Sequence, residues 1–250
     1  DGDLDLFSLN HSVDKYAIFR EEFTQFRKSR DPWYGQKLYR NDGDSFTEVT
    51  SSAGIFNSAL NFGLGVALAD FNGDHWPDIY VCNDYYEKDY FYINQQDGTF
   101  RECLEDYFSY ISLSSMGCDA ADINNDGHID LFTLDMLPED HYEQKLVEGP
   151  DNYERLSIRE KVGFYYQTTR NMLHLNSGGT HFMEIGQYAG PYATNWSWSP
   201  LLCDFDQDGY KDLFISNGYG KNVTHMDVLD LNVEETLKRQ AGEPAMEVMD

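Results

Sequence analysis

Bases are scarce in this chain: 18 Lys and Arg stand against 44 Asp and Glu in 250 residues, a formal charge of −26. Nucleic-acid binding needs clustered Lys and Arg, so that class is excluded. No apolar run reaches the ~18 residues that a membrane-spanning helix needs. Cysteine is limited to Cys82, Cys103, Cys118 and Cys203, with no C-x-x-C pair. This spacing reads as small buried residues, not as a disulfide framework. The seven His include no H-x-x-x-H of a zinc hydrolase, and His174 and His181 read as satisfied polar residues of strands. G-x-S-x-G and phosphate-binding glycine loops are also missing. Aromatics are not scarce, with 18 Tyr, 16 Phe and 4 Trp. Disordered chains are poor in these, so a packed fold is expected, with most of the acid on a solvated surface.

The patterned part of the acid is a nine-residue loop of the form D-x-[DN]-x-D-x-x-x-D. It occurs at Asp70–Asp78, Asp122–Asp130 and Asp204–Asp212. Oxygens at positions 1, 3, 5 and 9 can meet at one cation if the loop curls around it. Hard oxygen donors at this density select calcium, which takes six to eight of them at about 2.3–2.6 Å. The candidate ligands are Asp70, Asn72, Asp74 and Asp78; Asp122, Asn124, Asp126 and Asp130; and Asp204, Asp206, Asp208 and Asp212. The seventh residue, Trp76, His128 or Tyr210, would add its backbone carbonyl. Calcium in such loops is expected to be structural. An EF-hand would need a glutamate at position 12 and flanking helices; here an aspartate closes the loop at position 9. A fourth copy, truncated to Asp1, Asp3 and Asp5, opens the chain. The sequence therefore reads as a fragment that begins inside a repeat, with any signal segment or anchor upstream.

The repeat extends beyond the loop. A small-residue segment precedes each complete copy (62–69, 115–121 and 196–203) and a short apolar run follows it. A hairpin with a glycine turn comes later, at 37–46, 90–100 and 171–182. The unit is strand A, metal loop, strand B, connection, strand C, glycine turn, strand D. Four antiparallel strands per unit make the blade of a β-propeller, so the expected class is all-β. The B strands are apolar on consecutive residues, as strands buried on both faces are. Strand parity sends the A–B and C–D turns to one end of each blade and the B–C and D–A connections to the other. The long segments 10–36, 84–89, 105–114, 136–170 and 188–195 therefore gather on the face away from the metal. Loops held by a rigid scaffold are where binding residues concentrate. Charged stretches at 138–145 and 152–162 read as helices, the core of a helical insertion at about 137–170. A capping-box-like start at Thr224–Asp227 opens a further helix. The division expected is a partial propeller over 1–225 and a helical segment over 226–250. Trp33, Tyr34, Tyr192, Trp196 and Trp198 lie on or beside the insertion face and read mainly as core, although exposed aromatics there would suit stacking on sugar rings. Sequons at Asn10, Asn195 and Asn222 read as accidental.

These residues resemble the FG-GAP repeats of integrin α propellers and the bacterial VCBS repeats. Phe62-Gly-Leu-Gly-Val66, Trp76-Pro-Asp-Ile-Tyr-Val81, Asp135-Met-Leu-Pro-Glu-Asp140 and Trp196-Ser-Trp-Ser-Pro200 are more closely similar to VCBS-repeat surface proteins of Bacteroidetes, a set related to the cartilage-acidic-protein-like group. The likeness runs to about residue 232. The ASPIC/UnbV-type domain that often follows in this group has no counterpart here. The resemblance implies a propeller of about seven blades, calcium in the A–B loops, and an exported, outer-membrane-attached lipoprotein. It also implies a binding or assembly role toward a surface glycan or another envelope protein, within a larger outer-membrane complex. A propeller enzyme acting on polysaccharide is the alternative. The chain departs from the pattern at His75, where the sixth loop residue is usually glycine and a side chain would have to accept φ > 0.

Overall fold

The structure is a computed structural model in which residues 2–11, 27–30, 33–85, 87–147 and 153–218 are described. Asp1, most of segment 10–36 and the tail from 219, with its expected helix and the Asn222 sequon, lie outside them.

The fold is mostly β, built mainly from separate antiparallel sheets. The first holds β1 (Leu6–Ser8), β2 (Lys37–Asn41) and β3 (Phe46–Glu48) in that order. The second runs β4 (Gly63–Ala69), β5 (Asp78–Asn83), β6 (Tyr90–Asn94), β7 (Phe100–Glu102). After it come α1 (Leu104–Tyr107) and β8 (Ile111–Ser112). The third sheet starts with β9 (Gly117–Ala121) and β10 (Asp130–Leu134). The connection that follows carries α2 (His141–Val147), α3 (Tyr153–Val162) and β11 (Gln167–Thr168), which pairs in parallel with β8. β12 (Met172–Asn176) and β13 (Phe182–Glu184) complete this sheet in the order β9-β10-β12-β13. After α4 (Gly186–Ala189), β14 (Ser197–Cys203) and β15 (Asp212–Asn217) form a two-stranded ladder. None of the described sheets closes on itself.

In each of the first three sheets a glycine turn joins the last two strands. Gly43, Gly98, Gly178 and Gly179 all take φ between 66° and 86°, a range that side chains oppose. The cores are seams between sheets. Ile79 and Val81 of β5 face the first sheet, packing with Leu38, Tyr90 and Tyr92. Tyr80 and Cys82 of the same strand face the third, packing with Phe91, Leu131 and Phe182. Phe132, Leu134 and Leu173 meet Leu202, Leu213 and Ile215 at the next seam. Alternate residues of one strand thus enter different cores, and for that reason β5 and β10 are buried throughout without a polar face. β15 is only partly buried; among the described residues it pairs with β14 alone. Strands β4, β9 and β14 lie in backbone contact. A Cβ on Gly65 would stand 2.8 Å from Gly117 Cα, and one on Gly117 would stand 2.2 Å from Trp198 O.

Several expectations need correction. Cys203 is exposed and Cys118 half-buried, so only Cys82 and Cys103 are buried thiols. His174 is buried in β12, but its Nε2 has no partner. The ring fits because it lies edge-on to Phe108 at 5.0 Å, and burial holds it neutral, with a pKa lowered to about 3. His181 sits just before β13, not in it. Trp33 is 80% exposed and Trp198 39%, against their reading as core; Tyr34, Tyr192 and Trp196 are half-buried.

Candidate metal loops

Each A–B turn is a curl of backbone held by its own side-chain oxygens. In the first loop, the Gly73 and Asp74 amides donate to Asp70 Oδ1 (2.8 and 3.0 Å) and His75 N donates to Asp70 Oδ2 (2.8 Å). Asp74 N also donates to Asn72 Oδ1 (3.0 Å), and Trp76 N to Asp74 Oδ1 (2.9 Å). The second loop repeats this. Asp126 N reaches Asp122 Oδ1 and Asn124 Oδ1, Gly127 N reaches Asp122 Oδ2, and His128 N reaches Asp126 Oδ1. The third does the same with Asp208 N on Asp204 and Asp206, Gly209 N on Asp204, and Tyr210 N on Asp208. Positions 1, 3 and 5 are thereby drawn around one point, and position 7 is tied to position 5 through its amide.

The curl needs left-handed backbone at positions 4 and 6. Gly73, Asn125 and Gln207 supply the first with φ of 77°, 59° and 63°. His75, Gly127 and Gly209 supply the second with φ of 70°, 86° and 96°. His75 is therefore held where its counterparts are glycine.

The donor set fits a divalent cation. Carboxylate oxygens of Asp204, Asp206 and Asp208 all lie within 4.8 Å of one another. Two oxygens on opposite sides of a calcium ion would stand about 4.6–5.2 Å apart. The first two loops offer one carboxylate fewer because position 3 is Asn.

Position 9 does something the spacing did not show. Asp78 Oδ2 accepts from Phe71 N (3.0 Å) and its Oδ1 accepts from Asn94 N (2.9 Å). Asp130 does likewise with Ile123 N and Asn176 N, and Asp212 with Phe205 N. In the truncated copy Asp5 Oδ1 accepts from Asn41 N (2.9 Å). This aspartate thus bolts the metal loop to the end of strand C. Each carboxylate oxygen has two lone pairs, so the bolt leaves room for a cation. Burial pushes Asp78 up to about 6, helped by Asp74 and Asp70 and opposed by the two amides. Burial raises Asp130 in the same way. Asp74 is held low: desolvation acts upward, but the Trp76 amide and the Gln96 and Asn72 side chains prevail.

Sequence reasoning missed the partner of that bolt. The last residue of each described C strand is Asn41, Asn94 or Asn176. Each side-chain amide donates to the carbonyl of loop position 8: Leu4 O, Pro77 O or Ile129 O. Each Oδ1 also caps the glycine turn, by accepting from Gly43, Gln96 or Gly179 N. Asn176 reaches further, to Phe71 O at 2.7 Å, and so ties the third sheet to the loop of the second. The signal is an Asn at the same place in every hairpin, but such an Asn is also a turn signal, and the turn alone accounts for it.

The FG-GAP-like repeat matches residues 1–81 and again residues 70–133, together more than half of the chain. These matches take in the truncated copy and the first two loops, and the third loop shares their hydrogen-bond pattern. A comparison with curated proteins finds no match. Among the described residues no helix is long and apolar enough to cross a membrane. Repeats of this kind are typical of extracellular or surface binding modules, and the separate antiparallel sheets are consistent with a β-propeller. The chain belongs to the FG-GAP-like repeat family.

Proposed function

We propose that this chain is a calcium-stabilised propeller module of an exported bacterial surface protein. It recognises a glycan or another envelope protein through the face opposite the metal loops. The four antiparallel sheets are taken as blades of one propeller over 1–225, of about seven blades by the resemblance, with 226–250 as a separate helical segment. Calcium is assigned to the three loops through positions 1, 3, 5 and 9 and the carbonyls of Trp76, His128 and Tyr210. Three such ions would leave the chain at about −20.

One observation carries the binding half of this reading. Trp33, Tyr85, Tyr142, Tyr153, Tyr166 and Tyr188 are each more than half exposed. All six lie in B–C or D–A connections, the end that antiparallel order sets opposite the loops. An aromatic ring with a polar edge exposed on a scaffold suits sugar rings and protein hot spots alike. Trp76, Phe205 and Tyr210 are exposed too, but they belong to loops whose oxygens are committed to metal.

Binding of the calcium-loaded chain to an array of surface polysaccharides and to envelope extract, by crosslinking, tests the reading. Contacts should map to the connections and weaken in Trp33→Ala and Tyr188→Ala. Crosslinks confined to the metal loops, with both variants unaffected, would overturn it.

A further inference from the structure

The seam between the second and third sheets brings two thiols into one cluster. Cys82 on β5 and Cys118 on β9 both point into it, among Tyr80, Phe91 and Leu131. Burial, and after it the neighbouring Cys118, raise the pKa of the Cys82 thiol. The strands that carry them are held close by glycine, since a Cβ on Gly65 would lie 2.8 Å from Gly117 Cα and 3.3 Å from Cys118 N. Gly65 is the register partner of Cys82 across β4 and β5. The same two positions at the next seam are Leu134, opposite Gly117, and Pro200, opposite Ile215. That pair cannot be oxidised, so the dithiol is particular to one seam and is not dictated by the repeat.

We propose that Cys82 and Cys118 form an inter-sheet disulfide when the chain meets a small-molecule disulfide oxidant. The chemistry is thiol–disulfide exchange. The thiolate of Cys118, the half-buried member, attacks one sulfur of the oxidant and expels one reduced thiol. Cys82 then loses its proton and attacks the Cys118 sulfur of this mixed disulfide, and the second thiol leaves. Two protein thiols give up two electrons and two protons, and one external disulfide becomes two thiols. Cys82 is wholly buried, and burial keeps its thiol protonated, so the second step waits on a local opening of the seam. Cys103 lies in the same core but donates to Phe91 O at 3.6 Å, and Cys203 is exposed; neither is placed to compete. The proposal is independent of the calcium and binding readings, because it concerns a seam that forms in either case.

The test uses the full chain, purified reduced and then incubated folded with oxidised glutathione. Thiols counted in denaturant should fall from four to two once any glutathione on Cys203 is removed by mild reduction. Peptide mapping should show Cys82 joined to Cys118. The cross-link closes a loop of moderate length, so the melting temperature should rise by about 5–10 °C and return on full reduction. Cys118→Val, the residue at the matching position of the second sheet (Val66), should keep the fold and lose both the cross-link and the rise. Four free thiols after oxidation of the folded chain, or a cystine that joins any other pair, overturns the proposal. Both readouts come from the unaltered sequence, so they stand even if the variant does not fold.

Discussion

The ninth residue of the loop is expected to hold the fold even when no metal is bound, and replacing Asp78 by alanine separates that role from ligation. Asp78 is fully buried and accepts the amides of Phe71 and Asn94. Removing its carboxylate orphans two backbone donors, one of them on a fully buried residue, at about 1–3 kcal/mol each. Asp78→Ala should therefore cost about 2–5 kcal/mol in excess chelator. Asp74 gives the contrast. Its partners, Trp76 N, Gln96 Nε2 and Asn72 Nδ2, lie near the surface and can turn to water. Asp74→Ala should leave the chelator baseline close to the parent. In calcium both variants should lose one site's share of the metal-induced stabilisation, about 2.7 kcal/mol at a free concentration of 100 times Kd. Urea denaturation of the three proteins, in chelator and in calcium, reads all of these quantities. Equal baselines for Asp78→Ala and Asp74→Ala in chelator would refute the clamp, and a full calcium effect in Asp74→Ala would refute its place among the ligands.

His75 carries a left-handed backbone at a cost of about 1–2 kcal/mol, partly recovered because histidine tolerates it better than most residues. His75→Gly should stabilise by about 0.5 kcal/mol after the added freedom of the unfolded chain is subtracted. Gly209→His should destabilise; thermal melts of the two that moved in the same direction would contradict this. Asn176→Ala removes bonds to Phe71 O, Ile129 O and Gly179 N from a buried position, and should cost about 2–4 kcal/mol. A chemical-denaturation midpoint unchanged from the parent would show that the clamp is idle. Burial raises Asp89 to about 7, against bonds from Asn83 N, Ser115 Oγ and Tyr80 Oη and with Asp135 adding to the rise. The fold therefore favours its neutral form. That contribution is whole below the unfolded value of about 4 and is lost as pH rises toward 7. In chelator, stability should decline over this window and Asp89→Asn should flatten the decline; an identical pH slope in the two proteins would sink the assignment.

The strand order could be read from the sequence because the repeat supplies it several times over. Each loop marks the A–B turn and each Asn-and-Gly hairpin marks the C–D turn, so the two strands between them had only one antiparallel arrangement left. The continuous apolar B strands announced burial on both faces, and β5 shows how this works: Ile79 and Val81 enter one seam, Tyr80 and Cys82 the next. What the pattern could not convey was depth. A lone Cys before a metal loop looks the same at 118 and 203, yet one lies in a seam and the other in solvent. Trp33 looked like core because tryptophan usually is, but the connection that carries it displays it. A histidine inside an apolar strand was expected to find a hydrogen-bond partner for its ring; at 174 the surroundings are Phe108 and Phe182 instead.

The loops were legible as clusters of oxygens, but not as joints. Spacing alone assigns positions 1, 3, 5 and 9 one common task. The geometry divides them: 1, 3 and 5 fold the loop back on itself, while 9 fastens it to strand C, where Asn41, Asn94 or Asn176 completes the fastening from the other side. A cation at the centre would pull on both sets at once. The buried ninth carboxylate resists charge when it stands alone, as the rise of Asp78 to about 6 shows, and a bound divalent ion would remove that resistance. Metal binding is then coupled to the attachment of strand C as well as to the shape of the loop. The third sheet is joined to the second loop through Asn176 and Phe71 O, so the same coupling extends across a seam. If a cation fills the loop of the second sheet, emptying it should loosen that sheet and, through Asn176, the third sheet clamped to it.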